Sequence, residues 1–406
     1  MDSLAQNIQT VTSKKSGVTR LTLTDFRNYA FLRLNTTLRP IIITGENGSG
    51  KTNILEAVSF LTPGRGLRGA RLTDIRRFTP AVVGNDYAPS NSSWAVSATV
   101  YKNGEDFEIG TAVENTPRSE EDDDVGGYNK RIVKIDGQKA PSQGELGHYL
   151  SAIWLTPQMD RLFRGGSQPR RSFLDRLVFA FDNEHAKRTA NFEHLYKQWY
   201  QLIKSTNGRA DNAWLEGIEE NMAAIGVAIA AARREQIARL NSFIENEPDD
   251  VFPNVIVELD GVIEKMLDKM PAVDVEDFYI NKLKNERRNV LYNDNVDGVN
   301  RTDFKVTYKR KHMPAELCST GEQKSLLISI ILAQTKCQIL YQGFAPVLLL
   351  DEIAAHLDDI KREALLDKIK NLGLQAWITS TNRDIFTSLN EEADFFEIKN
   401  NMVTQV

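Results

Sequence analysis

Gly45-Glu46-Asn47-Gly48-Ser49-Gly50-Lys51-Thr52 has the full G-x-x-x-x-G-K-T spacing of a phosphate-binding loop. The apolar run Ile41-Ile42-Ile43 before it predicts a strand, and Asn53 to Phe60 after it predicts a helix. Strand, loop and helix in that order form the context this motif requires. Glycines let backbone N–H groups turn inward, and a helix N-terminus behind them favours an anion. Gly45 through Asn53 would wrap the phosphates, with Lys51 reaching the β- and γ-phosphates and the Thr52 hydroxyl on Mg²⁺. The stretch therefore predicts an α/β chain that binds a nucleoside triphosphate.

Around this loop lie 406 residues, more than one typical core holds, so two or three domains are expected. Hydrophobic content of 41% and charged content of 26% are ordinary for a globular protein. No stretch approaches membrane-spanning length, and Met1 to Gly17 is polar without a signal-peptide core. Cys318 and Cys337 stand in no metal or redox spacing, which makes a reduced, cytoplasmic compartment the default expectation. A net charge of −5 argues against a coat of positive charge but leaves room for a local nucleic-acid surface. Arginines cluster at Arg65, Arg68, Arg71, Arg76 and Arg77, and again at Arg161, Arg164, Arg170, Arg171 and Arg176. Each cluster reads either as solvated surface or as phosphate contacts. The acidic run Glu120 to Asp124 reads as a solvated loop tip.

Downstream, Val347-Leu348-Leu349-Leu350-Asp351-Glu352 reads as a buried parallel strand delivering two carboxylates at its C-terminal edge, where ligands of open α/β sheets bind. Asp351 would hold Mg²⁺ directly or through water, and Glu352 would be the general base for the attacking water. Between the two motifs, Cys318-Ser319-Thr320-Gly321-Glu322-Gln323-Lys324 opens a long helix, with Ser319 as N-cap and Glu322 completing a capping box. On its residues alone this is a well-capped helix.

A phosphate loop, a long middle, Ser-x-Gly-Glu-Gln opening a helix and then an Asp-Glu strand together resemble the layout of ATP-binding-cassette ATPases. The resemblance implies that Ser319, Gly321, Glu322 and Gln323 bind the γ-phosphate of ATP held by a second subunit. Ala354 to Asp358 resembles the dimer-contacting loop that follows the acids, with Asp358 in its acidic position. Ala376 to Thr381 reads as a further sheet strand, with Thr381 standing where such ATPases carry a switch histidine.

Three stretches narrow the likeness. Leu21 to Tyr29 alternates like an edge strand and looks like the opening of the RecF family of recombination-mediator ATPases, which brings Arg27 and Asn28 to the nucleotide site. Gly64-Arg65-Gly66-Leu67-Arg68 is similar to that family's arginine-bearing turn. Pro157 through Arg170-Arg171-Ser172-Phe173-Leu174-Asp175 resembles its signature, with Gln158 in place of the usual acid. Gln158 would then serve as the glutamine that related ATPases aim at Mg²⁺ and the attacking water. Asp297 to Arg301 departs from the His-Gly-Pro-His stretch of many relatives.

The resemblance implies a cassette-type P-loop ATPase lobe with an antiparallel side sheet, interrupted by a mostly helical lobe. Residues 1–18 are expected as a flexible tail, 19–158 and 301–406 as the ATPase lobe, and 159–300 as the insert. Ala95–Tyr101, Phe107–Val113 and Arg131–Ile135 alternate like side-sheet strands. In the insert, Phe192, Leu195, Tyr196, Trp199 and Ile203 recur at helical spacing. So do Trp214, Ile218, Met222, Ile225 and Ile229, followed by Ile237, Leu240 and Ile244, and both stripes read as packed helical core. The insert is too short for a long coiled coil and has no Cys-x-x-Cys hook.

The family implies a DNA-dependent ATPase acting as an ATP-closed dimeric clamp on duplex or gapped DNA, loading RecA together with RecR and RecO. The arginine clusters would then give salt-sensitive phosphate contacts. Two other functions fit the cassette order: the ATPase subunit of a membrane transporter, or another chromosome-associated repair ATPase. A nucleotide-gated scaffold with incidental hydrolysis is a further alternative.

Overall fold

The computed structural model describes residues 15–80, 87–89, 93–114, 130–245, 250–292, 296–354, 357–399 and 401–406. The acidic run at 120–124 lies outside these residues, as do Ala355 and His356. Two compact units make up the chain: Met1–Met159 with Thr335–Val406, and Asp160–Gln334.

In chain order the first unit contributes β1 (Ser16–Phe26), β2 (Tyr29–Asn35), β3 (Ile41–Gly45) and α1 (Lys51–Ser59). It continues with β4 (Phe78–Pro80), β5 (Tyr87–Pro89), β6 (Ala95–Lys102), β7 (Glu105–Glu114), β8 (Lys130–Ile135), β9 (Gln138–Lys139) and β10 (Ala152–Leu155). The second unit holds α2 (Ser167–Phe179), α3 (His185–Ser205), α4 (Asn212–Glu245), β11 (Val255–Asp260), α5 (Val262–Leu267) and α6 (Ala272–Tyr292). After β12 (Asp303–Tyr308) and β13 (Met313–Pro314), α7 (Thr320–Gln342) leads back to the first unit. There β14 (Val347–Asp351), α8 (Asp359–Asn371), β15 (Ala376–Ser380), β16 (Asp394–Lys399) and β17 (Met402–Gln405) close the chain.

Among the described residues the main sheet runs β10-β14-β15-β3-β16-β17, parallel apart from β17. Its inner strands are apolar on both faces, as strands covered on both sides must be. The side sheet runs β2-β1-β6-β7-β8-β9 and is antiparallel. One core joins the two sheets and α1, with Phe26, Phe60 and Trp94 in mutual contact at centroid distances of 5.4–6.1 Å. Among the described residues no helix is long and apolar enough to cross a membrane.

The second unit packs α3, α4 and α6 around Phe192, Trp199, Met222, Val227, Tyr279 and Leu283. It also holds a three-stranded antiparallel sheet, β11-β12-β13, so it is not purely helical.

Several expectations need correction. The strand thought to lie at a sheet edge, β1, pairs on both sides, and β2 is the edge strand. Alternation cannot tell these apart, because it reports which face is buried and not how many neighbours a strand has. Arg27 and Asn28 form the turn between them. Residues 16–18, assigned to the tail, belong to β1. There the buried Gln375 amide receives the Val18 N–H at 2.8 Å and donates to the Val18 carbonyl at 2.7 Å.

Residues 301–334, expected with the ATPase lobe, pack with the second unit. The physical reason is the β-ladder that joins β12 to β11 from Asp260↔Asp303 to Val255↔Tyr308. Trp214, read as core, is 62% exposed at the start of α4, whereas Ile218, Met222 and Ile229 on the same helix are buried.

Candidate nucleotide site

The loop after β3 turns at Gly48 (φ +82°) and Gly50 (φ +103°), conformations that suit glycine. A Cβ on Gly50 would meet the Asn28 amide nitrogen at 2.5 Å and the Tyr29 hydroxyl at 2.7 Å, so space as well as backbone angle excludes a side chain there. Lys51 opens α1 and is 3% exposed. Its ammonium donates to the carbonyls of Gly45 (2.8 Å) and Glu46 (2.9 Å) and lies 3.9 Å from Glu352 Oε1. Burial pulls the Lys51 pKa below the usual lysine range, opposed by the charges of Glu352 and Asp351.

The two acids come at the C-terminal end of β14, a parallel strand separated from β3 by β15: Asp351 is its last residue and Glu352 follows it. Thr52 Oγ1 donates to Asp351 at 2.8 Å (Oδ1) and 3.0 Å (Oδ2), joining residues 299 positions apart. On β15, in register with Asp351, Thr379 donates its hydroxyl to Asp351 Oδ1 (2.8 Å) and accepts the Glu352 N–H (2.9 Å). Glu352 itself takes φ +54°, uncommon for a non-glycine residue. Sequence reasoning missed Thr379, although a hydroxyl in the strand directly after the apolar run Ala376-Trp377-Ile378 was a signal that something polar sits opposite. Gln158 is exposed in the short 3-10 turn after β10, and β10 is in register with β14 through Leu155↔Leu350. It therefore follows the same edge of the sheet that delivers the acids.

A hard divalent cation suits this donor set. Thr52 and Asp351 offer a hydroxyl and a carboxylate side by side, and substrate phosphate oxygens would complete the shell in the usual manner of Mg²⁺. Among the described residues no cluster of three or more His, Cys, Asp or Glu forms an all-protein metal cage.

Arg27, expected at the nucleotide, pairs with the helix that follows the loop. Its guanidinium makes two bonds to Glu56, at 2.6 and 2.8 Å, and a third to the Asp74 carbonyl at 2.6 Å. Glu56 is fully buried in α1 and also receives Arg68 at 3.0 Å. A carboxylate inside Ile54-Leu55-Glu56-Ala57-Val58 has to be paired if it is to stay charged, which was the overlooked signal. Asn28 stays beside the loop, donating to the Ser49 carbonyl (3.4 Å) and Asn401 (3.0 Å) and accepting from Asn53 (2.7 Å). In the arginine-bearing turn, Gly66 (φ +71°) lies against Phe60, whose ring a Cβ would meet at 2.7 Å. Arg131 holds that turn by donating to the carbonyls of Phe60, Thr62 and Gly64.

In the second unit the capping box forms: the Ser319 N–H and hydroxyl both donate to Glu322 Oε2 at 2.8 Å. Lys311 takes the other Glu322 oxygen and, with Ser319, pulls the carboxyl pKa down to about 2. Gln323 is 2% exposed and donates to the carbonyls of Cys318 (3.0 Å) and Glu316 (3.3 Å). Glu322 and Gln323 thus bind the segment that leads into the helix, whereas Ser319, Thr320 and Gly321 are exposed, with open space where a Gly321 Cβ would stand. Asp358, in the first unit, caps α8 through the Lys361 N–H at 2.9 Å, and that bond followed by the Lys361 ammonium lowers its pKa.

The arginines divide in the same way. Arg170 is bidentate to Asp303 (2.7 and 2.8 Å) and donates to the Phe163 and Gly165 carbonyls. Arg171 donates to the Thr302 carbonyl at 3.0 Å. Phe173 and Leu174 are buried, and Asp175 binds Arg233 (2.8 and 2.9 Å) and His185 (2.9 Å). The Arg-Arg-x-Phe-Leu-Asp motif therefore ties α2 to β12 through Arg170 and to α4 through Asp175. Arg77 is paired with Asp25 at 2.9 Å, and Arg76 is half-buried where it bridges Phe26. Arg65, Arg71 and Arg161 are exposed, as is Arg164, which reaches the Cys318 carbonyl at 3.3 Å.

The family described as RecF/RecN/SMC N terminal domain matches residues 17–404. The chain is 42% identical over 390 residues to a DNA replication and repair protein RecF of Rhizobium rhizogenes, covering 96% of this chain and 98% of the relative. It is 41% identical over 394 residues to the RecF of Agrobacterium fabrum, covering 97% and 99% respectively. Its fold is similar to a solved structure of the recombination mediator protein RecF-ATPrS in the RecFOR pathway. The TM-score is 0.79 at 19% identity, covering 98% of this chain and 100% of that one.

Proposed function

The chain belongs to the RecF family of RecF/RecN/SMC-type ATPases, and from that premise we propose that it is an ATP-gated, DNA-binding repair protein of the cytoplasm. The observation that carries this reading is the contact of Thr52 with Asp351 at 2.8 Å, which joins the phosphate loop to the acid-bearing strand. ATP would enter with its β- and γ-phosphates against the loop N–H groups, drawing the Lys51 ammonium off the Gly45 and Glu46 carbonyls. Thr52 and Asp351, with Gln158 at the same sheet edge, would hold Mg²⁺, which when bound neutralises phosphate charge. Glu352 orients the attacking water and takes its proton, while the bond from the γ-phosphorus to the bridging oxygen breaks to give ADP and phosphate.

The family pattern supplies the second half of the site. Ser319 and Gly321 of a second copy, at an exposed helix N-terminus, would meet the γ-phosphate and close a homodimer. Asp358 would act by shaping the loop at that contact. DNA, duplex or gapped, would be held through exposed arginines such as Arg65, Arg71 and Arg161, with RecO and RecR as partners in loading RecA. Two variants test the reading. Lys51→Ala should lose tight ATP binding, and Glu352→Gln should bind ATP yet release phosphate slowly. Unchanged affinity in the first or normal turnover in the second would defeat it.

A further inference from the structure

Thr379 is fully buried on β15, the strand beside β14, and directly follows the apolar run Ala376-Trp377-Ile378. Its hydroxyl has one proton and two lone pairs, and both kinds of bond are made to the acid pair. The proton goes to Asp351 Oδ1 at 2.8 Å, and a lone pair accepts the Glu352 N–H at 2.9 Å. The first bond fixes the rotation of the carboxylate that Thr52 also touches. The second pins the peptide between Asp351 and Glu352 at the point where the backbone enters a left-handed turn, φ +54°. A turn of that kind persists in a non-glycine residue only when its surroundings hold it.

We propose that Thr379 is a positioning residue that sets the carboxylate of Asp351 for the metal and the backbone of Glu352 for the water. The inference rests on the nucleotide-site reading above and deepens it. Outer partners of this kind fix the orientation of a ligating carboxylate, and removing them commonly costs about 10- to 100-fold in metal affinity or activity. Valine keeps the shape of threonine without the hydroxyl, whereas serine keeps the hydroxyl without the methyl.

The test measures binding of the fluorescent analogue mant-ATP in EDTA and across a Mg²⁺ titration, together with steady-state phosphate release. Thr379→Val should bind mant-ATP in EDTA like the unaltered chain. Its half-saturating Mg²⁺ should rise about 10-fold and its kcat fall about 10- to 100-fold. Thr379→Ser should stay near the unaltered chain in both respects, an outcome that altered packing alone would not give. A valine variant with unaltered Mg²⁺ dependence and kcat overturns the proposal. Should the valine chain fail to fold, Thr379→Cys, close to threonine in size but a weak hydrogen-bonder, takes its place. Equal Mg²⁺ dependence in the cysteine and serine variants then overturns it. Glu352→Gln run in parallel separates the two levels: normal turnover there defeats the site reading itself, and slow turnover there with a normal Thr379→Val defeats only this inference.

Discussion

Replacing Arg27 by methionine separates a fold-holding role from a nucleotide-binding one. The substitution keeps most of the side-chain volume but removes two charge-assisted bonds, at 2.6 and 2.8 Å, from a Glu56 carboxylate that is fully buried. Breaking a buried pair by removing one partner costs about 3–5 kcal/mol, because the remaining charge is left uncompensated. Arg68 still reaches Glu56 Oε2 at 3.0 Å, so the lower end, about 3 kcal/mol, is the expected loss. For a unit of this size that is a fall in Tm of about 6–12 °C. Urea and thermal unfolding followed by circular dichroism would measure it, with Glu56→Leu and the double variant completing the cycle. The double variant should recover more than half of the Arg27→Met loss, since an apolar pair can replace a buried ion pair at little cost. Affinity for mant-ATP, taken at a temperature where both chains are folded, should change little. An Arg27→Met chain as stable as the unaltered one, but unable to bind ATP, would refute the argument and return Arg27 to the nucleotide.

Arg170→Ala should destabilise the second unit by about 2–4 kcal/mol through the stranded Asp303, seen as an earlier urea midpoint, with unaltered salt dependence of DNA binding in the folded chain. Arg65→Ala with Arg71→Ala should do the reverse, leaving stability unchanged and lowering the slope of log affinity against log salt by about 1 for each of the two arginines that neutralises a phosphate. Asp175 carries a pH prediction. Although burial alone would raise its pKa, Arg233 and His185 outweigh that and hold the carboxyl well below the usual aspartate range. A depressed carboxyl pKa contributes stability that is complete above the unfolded value, about pH 4, and is lost as the pH falls below it. The stability gap between the unaltered chain and Asp175→Asn should therefore stay constant above about pH 5 and narrow progressively as the pH falls below about 4 in urea titrations.

The ATPase sheet was readable because its signals are local. The strand before the loop, the loop and the acid-bearing strand each carry their pattern within a few residues. The side-sheet strands β6, β7 and β8 alternate as the sequence indicated. What was hidden depends on partners distant in the chain. Nothing in Leu21 to Phe26 says that β6 lies on its far side, and nothing in Asp303 to Tyr308 says that β11 will hold it with the second unit.

Charged side chains were the hardest to read, since sequence shows a charge but not what neutralises it. Arg27 with Glu56, Arg170 with Asp303, and Asp175 with Arg233 are separated by 29, 133 and 58 positions. All three arginines look like surface or ligand groups until the partner is found. Thr379 was hidden for the same reason, because its role exists only in register with Asp351.

Sedimentation velocity of Glu352→Gln, with and without ATP and Mg²⁺, tests the central claim most directly. A loop that shares its nucleotide with a second copy predicts a monomer alone and a dimer when ATP and Mg²⁺ are both present, with Ser319→Arg holding the chain monomeric under the same conditions. A chain that stays monomeric with saturating ATP, or dimerises equally without it, would contradict the account.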